Sequence, residues 1–465
     1  MSIRNMNRNE LLVKVVVVLI LWSIPEIWAQ RLSKEEAIRY TLENNYGIII
    51  SNNQVITAEN NQKLLNSGYL PQLTGNAGAN YQQSSTTVSF PGAFVDQIDL
   101  ETGDSIRVAQ PDRVIEGVET QRYNADVILN YMLFDGLGRF YNYKRLKEQY
   151  NLSALQARET IENTLIQMFS IYYELARLLE NKEILEETLA ISQERVIRAG
   201  YQFEYGQNTK LGVLNAEVDV ANDSIALLNI HQSIKNTKRD LGFIMNQEVS
   251  AATIVDTTVF FVPELILNTY TEDYSNNNVS ILQSRTNMNI NDYDLKISKS
   301  GYLPTIGLNG SYGWNQSRNP PSPFFPPNIN NTTNLSAGVN LTWNLFDGGT
   351  TITRVKNAKI ALENQEIALQ QIEDDVARNL ANALGTYQNL LKIYQIQQQN
   401  VVTNLNNFER SEERFKLGQI TSIEFRQAQI NLLNARTNKN LAKYDAKLAE
   451  LQLLQLTGQL LNVDF

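Results

Sequence analysis

A fifteen-residue phrase occurs twice in this chain, as SGYLPQLTGNAGANY from Ser67 and as SGYLPTIGLNGSYGW from Ser300. In both, apolar residues at helical spacing give way at a Leu-Pro step to strict alternation. A residue before proline is pushed out of helical space. A helix is therefore expected to end, and a strand to begin, at Pro71 and again at Pro304. Self-similarity at so long a period means two copies of one structural unit.

The offset between the copies locates an insertion. Asn44-Asn45 and Ser67 recur 233 residues later at Asn277-Asn278 and Ser300. Downstream, Leu133-Phe134-Asp135-Gly136 recurs 212 residues later as Leu345-Phe346-Asp347-Gly348, and Gly206-Gln207-x-Thr209 recurs as Gly418-Gln419-x-Thr421. The register slips by 21 residues between Tyr81 and the FDG step. Insertions collect in loops, so residues 82–118, with Pro91-Gly92 and Pro111, are expected to be a loop, matched by 315–334 with its NPPSPFFPPN.

Each unit reads helix, strand, loop, strand, long helix, turn, helix. Strands are expected at about 72–81, 123–134, 305–314 and 335–346. Leu335, Ala337, Val339, Leu341, Trp343 and Leu345 alternate with Ser336, Gly338, Asn340, Thr342 and Asn344, and Ile306 to Trp314 alternates likewise. Such runs have the length of a tilted membrane strand, ~9–11 residues, with aromatic residues near their ends. A sheet packed on a core alternates equally well, but here the second face carries Asn, Ser, Thr and Gly, as a water-filled lumen requires.

The long helices are expected at 140–204 and 352–416, which contain no proline. At 1.5 Å per residue each is a rod of about 100 Å. They return through helices 208–246 and 420–457, and the first helix of each copy is expected to stack end to end on its returning helix. Helix one opens at Ser33-Lys-Glu-Glu36, a capping box with Leu32 placed to staple onto Ala37. The copies thus occupy 30–246 and 271–458, joined by a linker at 247–270 and followed by a tail at 459–465.

Residues 1–29 have the form of a cleaved signal peptide: Arg4, Arg8 and Lys14, an apolar run from Val15 to Ile24, then Ala29. The run is about half the ~20 residues a spanning helix needs. Cleavage would take the formal net charge from −9 to −10. The 465 residues include no cysteine, so an exported form is held together without disulfides. A mean hydropathy of −0.30 is too polar for a bundle of membrane helices, and an acidic chain without basic clusters argues against nucleic acid.

Four strands cannot close a barrel, and an open edge in lipid leaves amides unpaired at a cost of several kcal/mol each. If the strands lie in a membrane the protein oligomerises, and eight strands from two copies or twelve from three are both allowed.

The capped first helix with Ala37, Leu42, Asn44 and Asn45, the doubled GYLP and LFDG steps and the doubled G-Q-x-T tip resemble the outer-membrane efflux protein (TolC) family. The resemblance covers nearly all of the chain after residue 29. It implies a mainly α fold with membrane β. Three protomers, four strands each, would form a twelve-stranded transmembrane β-barrel continuous with a long α-helical barrel, or tunnel, across the periplasm. It implies a homotrimer in outer-membrane lipid, working with a periplasmic adaptor (membrane fusion) protein and an inner-membrane pump of the RND, ABC or MFS type. The function implied is a passive exit duct for drugs, other small molecules or proteins, and it needs no cofactor.

Gly206 and Gly418 suit the left-handed backbone that reverses a helical hairpin, and Thr209 and Thr421 stand where they cap the returning helices. The resemblance makes these tips, with Gln207 and Gln419, the adaptor-docking surface. It also puts Glu424 and Gln427 at the periplasmic aperture, where three Glu424 carboxylates around an axis would attract cations. The first-copy counterpart of Glu424 is Gly212, so the ring is thin. Pro71, Pro304, Phe134, Asp135, Gly136, Phe346, Asp347 and Gly348 mark the strand–helix junctions, where the aspartates suit turn and cap chemistry.

No catalytic constellation is legible. His231 is the sole histidine and stands mid-helix, far from every strand, which leaves neither a triad nor a metal cluster and disfavours a lipase-like barrel. Asp104 and Asp112 lack metal-site spacing. A non-conducting outer-membrane structural or adhesive stalk is the alternative, opposed by the doubled strand pairs and by the lack of a sustained heptad repeat.

Overall fold

A computed structural model describes residues 31–98, 100–101, 103–321 and 326–463. The expected signal peptide lies outside the described residues. The chain divides into two compact units, one of residues up to 58, 150–288 and from 365, the other of residues 59–149 and 289–364.

The second unit is built on an antiparallel sheet of β2 (Gln72–Val88), β5 (Arg113–Asp135), β7 (Thr305–Asn319) and β8 (Asn328–Thr342), in the order β2-β5-β7-β8. The two copies pair in the same register. Leu73 faces Leu129 in the first hairpin, and Ile306 faces Leu341, their counterparts, in the second. Alternation sorts the side chains by face. Leu73, Val127, Tyr312, Leu335, Val339 and Leu341 all stand exposed, Leu335 at 81%. The other face is polar, with Asn76 Nδ2 donating to Asp126 at 2.9 Å and the Ser311 and Ser336 hydroxyls 2.8 Å apart. β2 and β8 each pair along one side only.

Three expectations require correction here. Residues 82–118 are not one loop: β2 runs on to Val88 and β5 starts at Arg113, forming a ribbon past the last β5–β7 pair at Gln121. Between them β3 (Phe94–Ile98) and β4 (Ser105–Ala109) make a further hairpin. The ribbon was hidden because Gln83, Ser84, Ser85, Thr86 and Thr87 are polar in succession, and a register shift between Ser84, which faces Val118, and Thr86, which faces Ile115, interrupts the pairing, so the period-two signal vanishes. The second loop, expected at 315–334, shrinks because β7 reaches Asn319 and β8 starts at Asn328. At its other end β8 stops at Thr342 instead of 346, since Thr305, the first residue after Pro304, is its last partner.

Helices α1 (Lys34–Asn44) and α2 (Tyr46–Asn61), α3 (Gly138–Glu204) with α4 (Lys210–Met245), α5 (Glu264–Glu272), α6 (Tyr274–Asn277) and α7 (Val279–Ser300), and α8 (Thr350–Lys416) with α9 (Ser422–Leu456) supply the remainder. α3 and α8 are each 67 residues long. The Ser33–Glu36 capping box closes reciprocally, at 3.1 and 3.2 Å.

The first helix of each copy is broken where continuity was expected. Asn45 Oδ1 accepts from the amides of Gly47 and Ile48, and Asn278 Oδ1 accepts from Ser280 and Ile281. A side-chain oxygen that serves amides two and three residues on restarts a helix in a new direction. Asn45 Nδ2 then donates to Ile244 O, and Asn278 Nδ2 to Leu456 O, each at 2.8 Å. Each asparagine therefore ties its helix to the end of the returning helix of its own copy.

The core of the first unit gathers Phe169, Tyr172, Tyr173, Leu241, Met245, Tyr444, Leu451 and Leu454. Burial raises the phenol pKa values of Tyr172, Tyr173 and Tyr444 well above the ordinary value. Tyr172 Oη donates to Leu32 O and accepts from Asp256 N, which joins the two short parallel strands β1 (Arg31–Leu32) and β6 (Ile254–Val255). The linker is strapped to helices by lysines. Lys34, Lys443 and Lys447 donate to the carbonyls of Thr258, Thr257 and Phe260. The tail is not peripheral, because Leu460 is fully buried in this core.

Candidate functional site

The two hairpin tips repeat one geometry. Gly206 and Gly418 both have φ of +72°, the left-handed region that glycine enters without steric cost. Gly206 N donates to Phe203 O and Gln207 N to Gln202 O, while Gly418 N donates to Phe415 O and Gln419 N to Arg414 O. These paired bonds satisfy the last carbonyls of each long helix. Thr209 then caps α4 by accepting from Gly212 N, and Thr421 caps α9 by accepting from Glu424 N.

The tips differ in the third residue of the returning helix. Glu424 Oε2 accepts from Thr421 N at 2.7 Å and from Thr421 Oγ1 at 2.9 Å, completing a capping box. These bonds, led by the backbone one, hold the exposed Glu424 carboxyl below its ordinary pKa. Gly212 offers no side chain there, and Asn208 fills the space instead, with its Oδ1 accepting from Thr209 N. Gln427 is exposed and donates to Asn431 Oδ1. Glu424 thus has a local bonding role that the Thr421-x-x-Glu424 spacing, the same as Ser33-x-x-Glu36, signals in the sequence but that the aperture reading passed over.

Between the tips lies a groove of about 600 Å³, lined by Leu211, Gly212, Val218, Ile420 and Ile423 among others. Its floor is an ionic network. Arg195 Nη1 donates to Asp219 at 3.0 Å and Nη2 to the Ser422 hydroxyl at 2.9 Å. Arg426 Nη1 and Nη2 bind the two Asp223 oxygens at 2.8 and 2.7 Å, and Ser192 Oγ donates to Asp223 Oδ2. Gln429 Nε2 donates to Thr188 O and to Ser192 Oγ. Arg195 is nearly buried, which lowers its pKa while the Asp219 bond opposes the change. Two arginines and two aspartates balance in charge, so the network binds α3–α4 to α8–α9 close behind the tips. Sequence reasoning missed it, because Arg426 and Asp223 are 203 residues apart and their counterparts in the other copy, Leu214 and Ala435, are apolar.

The junction residues also divide by copy. Asp135 Oδ2 accepts from Arg139 N at 2.7 Å, and Asp347 Oδ2 accepts from Thr351 N at 2.8 Å and Thr351 Oγ1 at 2.6 Å. The Thr351 bonds lower the Asp347 pKa. Gly136 and Gly348 have φ of +68° and +69°. Phe134 pairs with Ile306 across β5–β7, whereas Phe346 is 85% exposed. Pro71 and Pro304 stand immediately before β2 and β7.

Among the described residues no cluster of His, Asp or Glu could hold a metal ion, and no helix is long and apolar enough to cross a membrane. Asp104 and Asp112 are exposed.

A family model described as outer membrane efflux protein matches residues 38–247 and 272–459. The outer membrane protein TolC of Vibrio cholerae is 26% identical over 323 residues, covering 66% of this chain and 70% of the relative. The outer membrane efflux protein BepC of Brucella suis is 23% identical over 332 residues, 71% of each chain. Among solved structures, the CmeC outer membrane channel of Campylobacter jejuni superposes with a TM-score of 0.69 at 15% identity, covering 92% of this chain and 86% of that one. A membrane protein of Pseudomonas aeruginosa does so with a TM-score of 0.71 at 16% identity, covering 91% and 90%.

Proposed function

This chain belongs to the outer membrane efflux protein family, and from that premise we propose that it is the exit duct of a tripartite efflux or type I secretion system. Three copies close a twelve-stranded barrel in the outer membrane, and their helices continue as a periplasmic tunnel. An inner-membrane RND, ABC or MFS-type pump supplies energy and substrate, and a periplasmic adaptor docks at the tips around Gly206, Gln207, Thr209, Gly418, Gln419 and Thr421. The duct is passive and has no catalytic step.

One observation carries this reading: a strand join that one chain makes only once. β5, the second strand of copy one, pairs with β7, the first strand of copy two. The equivalent join, β8 to β2, is missing within the chain, and both edges are open. An apolar sheet face with two open edges is stable in lipid only when the edges are paired. A head-to-tail contact that closes by rotation generates a ring. The internal offsets also fix the register. Val127↔Tyr312 and Leu129↔Gly310 in β5–β7 map onto Val339↔Ala79 and Leu341↔Ala77 between neighbouring chains.

In the first unit, Glu424 combines two tasks. One carboxylate oxygen caps α9, and the charge, repeated by threefold symmetry, attracts cations at the aperture together with the neutral Gln427 layer. Glu424→Gln keeps an acceptor for the capping box and removes only the charge. Block of the conductance by multivalent cations applied from the periplasmic side should weaken in this variant; unchanged block would remove Glu424 from the lumen.

The test of the whole reading is the subunit number of the detergent-solubilised protein followed by conductance in a planar bilayer. A conducting trimer is expected. A monomer, or a trimer that never conducts even when Glu424 and the tips are altered, would favour the non-conducting stalk.

A further inference from the structure

The segments next to the sheet's junction end, residues 59–71, 136–149, 289–303 and 348–364, all lie in the second unit. They hold ten lysines and arginines against seven acids when Asp135 and Asp347 are included, in a chain whose formal net charge is −9. The acids are already committed. Asp294 is bound by Arg145 at 2.8 Å, Asp292 by Lys296 at 2.6 Å and Asp135 by Arg139 at 3.3 Å. Asp347 caps α8, while Glu59 and Glu363 pair with Lys63 and Lys359. Among the described acids of these segments only Glu148 makes neither an ion pair nor a capping bond.

Five cations remain without a carboxylate partner among the described residues: Lys144, Lys147, Lys299, Arg354 and Lys356, and every one is exposed. Two of them are placed by aromatic rings, with Lys144 Nζ 4.6 Å from the Phe140 ring centre and Lys147 Nζ 4.6 Å from that of Tyr143. A cation over a ring keeps its outer hydrogens free for an anion. All five stand within ten residues of the strand–helix turns, which is at most about 15 Å along a helix from those turns.

Just past the end of β8, Trp343, Leu345 and Phe346 are exposed, as are Tyr302 and Phe140. Trp343 Nε1 donates to Tyr302 O at 3.1 Å, so its ring is held in place. Aromatic side chains with one apolar and one wet end collect at the edge of the hydrocarbon region, and free lysines and arginines just outside it attract anionic lipid headgroups.

We propose that Lys144, Lys147, Lys299, Arg354 and Lys356 form a collar that binds the phosphate headgroups of anionic phospholipids in the membrane leaflet nearest the strand–helix junctions. The inference rests on the sheet being the membrane-spanning part of the proposed duct. A free phosphate would find the cations but not the adjoining apolar and aromatic belt, which fits the acyl chains and glycerol of a lipid.

The test counts lipids retained by the full-length trimer in neutral detergent, by native mass spectrometry, as short-chain phosphatidylglycerol or phosphatidylcholine is added. Phosphatidylglycerol should be retained at roughly tenfold lower concentration, and the preference should fade in about 0.5 M salt, where screening shortens to a few ångströms. The combined variant K144Q, K147Q, K299Q, R354Q and K356Q should lose the preference, whereas K210Q, K235Q and K392Q together, in the other unit, should keep it. If the fivefold variant does not assemble, R354Q with K356Q alone should lower the preference. Equal retention of both lipids by the wild type, or abolition of the preference by inorganic phosphate at low millimolar concentration, would overturn the collar. A protein that conducts in neutral lipid yet shows no preference sinks only the collar, while one that neither assembles nor conducts sinks the duct.

Discussion

Gly136 and Gly348 occupy the same place in the two copies, with nearly the same backbone, yet their surroundings differ. A Cβ on Gly136 would stand 2.5 Å from Ser300 O and 2.9 Å from Leu303 Cβ, whereas at Gly348 nothing lies within 4 Å. The first FDG turn is thus covered by the SGYLP step of the second copy. In the proposed ring the second turn would be covered by the SGYLP step of a first copy, brought to that edge by the neighbouring chain. The difference comes from what lies alongside, not from the turn itself, and it mirrors the strand join that is made once and left open once. The tips show the opposite case. There the copies diverge in sequence, and the unmatched residues Arg195, Asp219, Asp223 and Arg426 bind the two hairpins to each other.

Breaking the tip network should have the largest effect. Arg426→Ala strands Asp223, whose side chain is 6% exposed, and should cost about 3–5 kcal/mol, read as a fall in the midpoint of thermal unfolding; Leu214→Ala, its first-copy counterpart, should cost much less. Next comes the turn comparison. Gly136→Ala combines left-handed strain with a backbone clash and should cost about 2–4 kcal/mol. Gly348→Ala should cost only the strain, about 1–2 kcal/mol, in a dissociated chain, and approach the Gly136 value in the assembled protein. Equal costs in both states would remove the difference between the turns.

Capping gives smaller effects. Thr421→Ala should cost about 1 kcal/mol and more than Thr209→Ala, because only Thr421 shares a capping box. Since the folded Glu424 pKa lies below its unfolded value, the cap's ionic contribution is complete above the unfolded pKa of about 4.3. It is lost as pH falls through the lower folded value. Hydrogen exchange at the Thr421 amide, corrected for intrinsic rate, should gain speed only in that acid range, with no matching change at Thr209. The smallest effect is a gain. Leu137 holds φ of +71° where the second copy has Gly349, so Leu137→Gly should relieve strain of about 1 kcal/mol.

Much of this was legible because it was local. A proline step, a glycine and threonine at a reversal, and alternation over ten residues each act within one turn or one strand. Leu73 to Tyr81 declared its two faces before any partner was known. The ribbon from Gln83 to Val88 did not, since polar residues on both faces leave no period to read. Asn45 and Asn278 were visible as a doubled pair, but their role in tying a helix to the returning one needed the carbonyls of Ile244 and Leu456, 199 and 178 residues away. The Arg426–Asp223 bond left no local pattern and no echo in the other copy. At Glu424 the sequence pointed to a charge at a tip, and the Thr421-x-x-Glu424 spacing held the capping signal as well, although the charge alone drew attention; the bond to Thr421 N orients the carboxylate.

The join between β8 and β2 of neighbouring chains is the claim on which the duct rests, and the absence of native cysteine makes it directly measurable. Val339→Cys combined with Ala79→Cys, oxidised in the assembled protein, should link chains into covalent dimers and closed trimers. Val339→Cys with Ala77→Cys should link more slowly, because it is two residues out of register. Rapid linking within a single chain, or no preference between the two pairs, would contradict the closed ring and the register its internal repeat dictates.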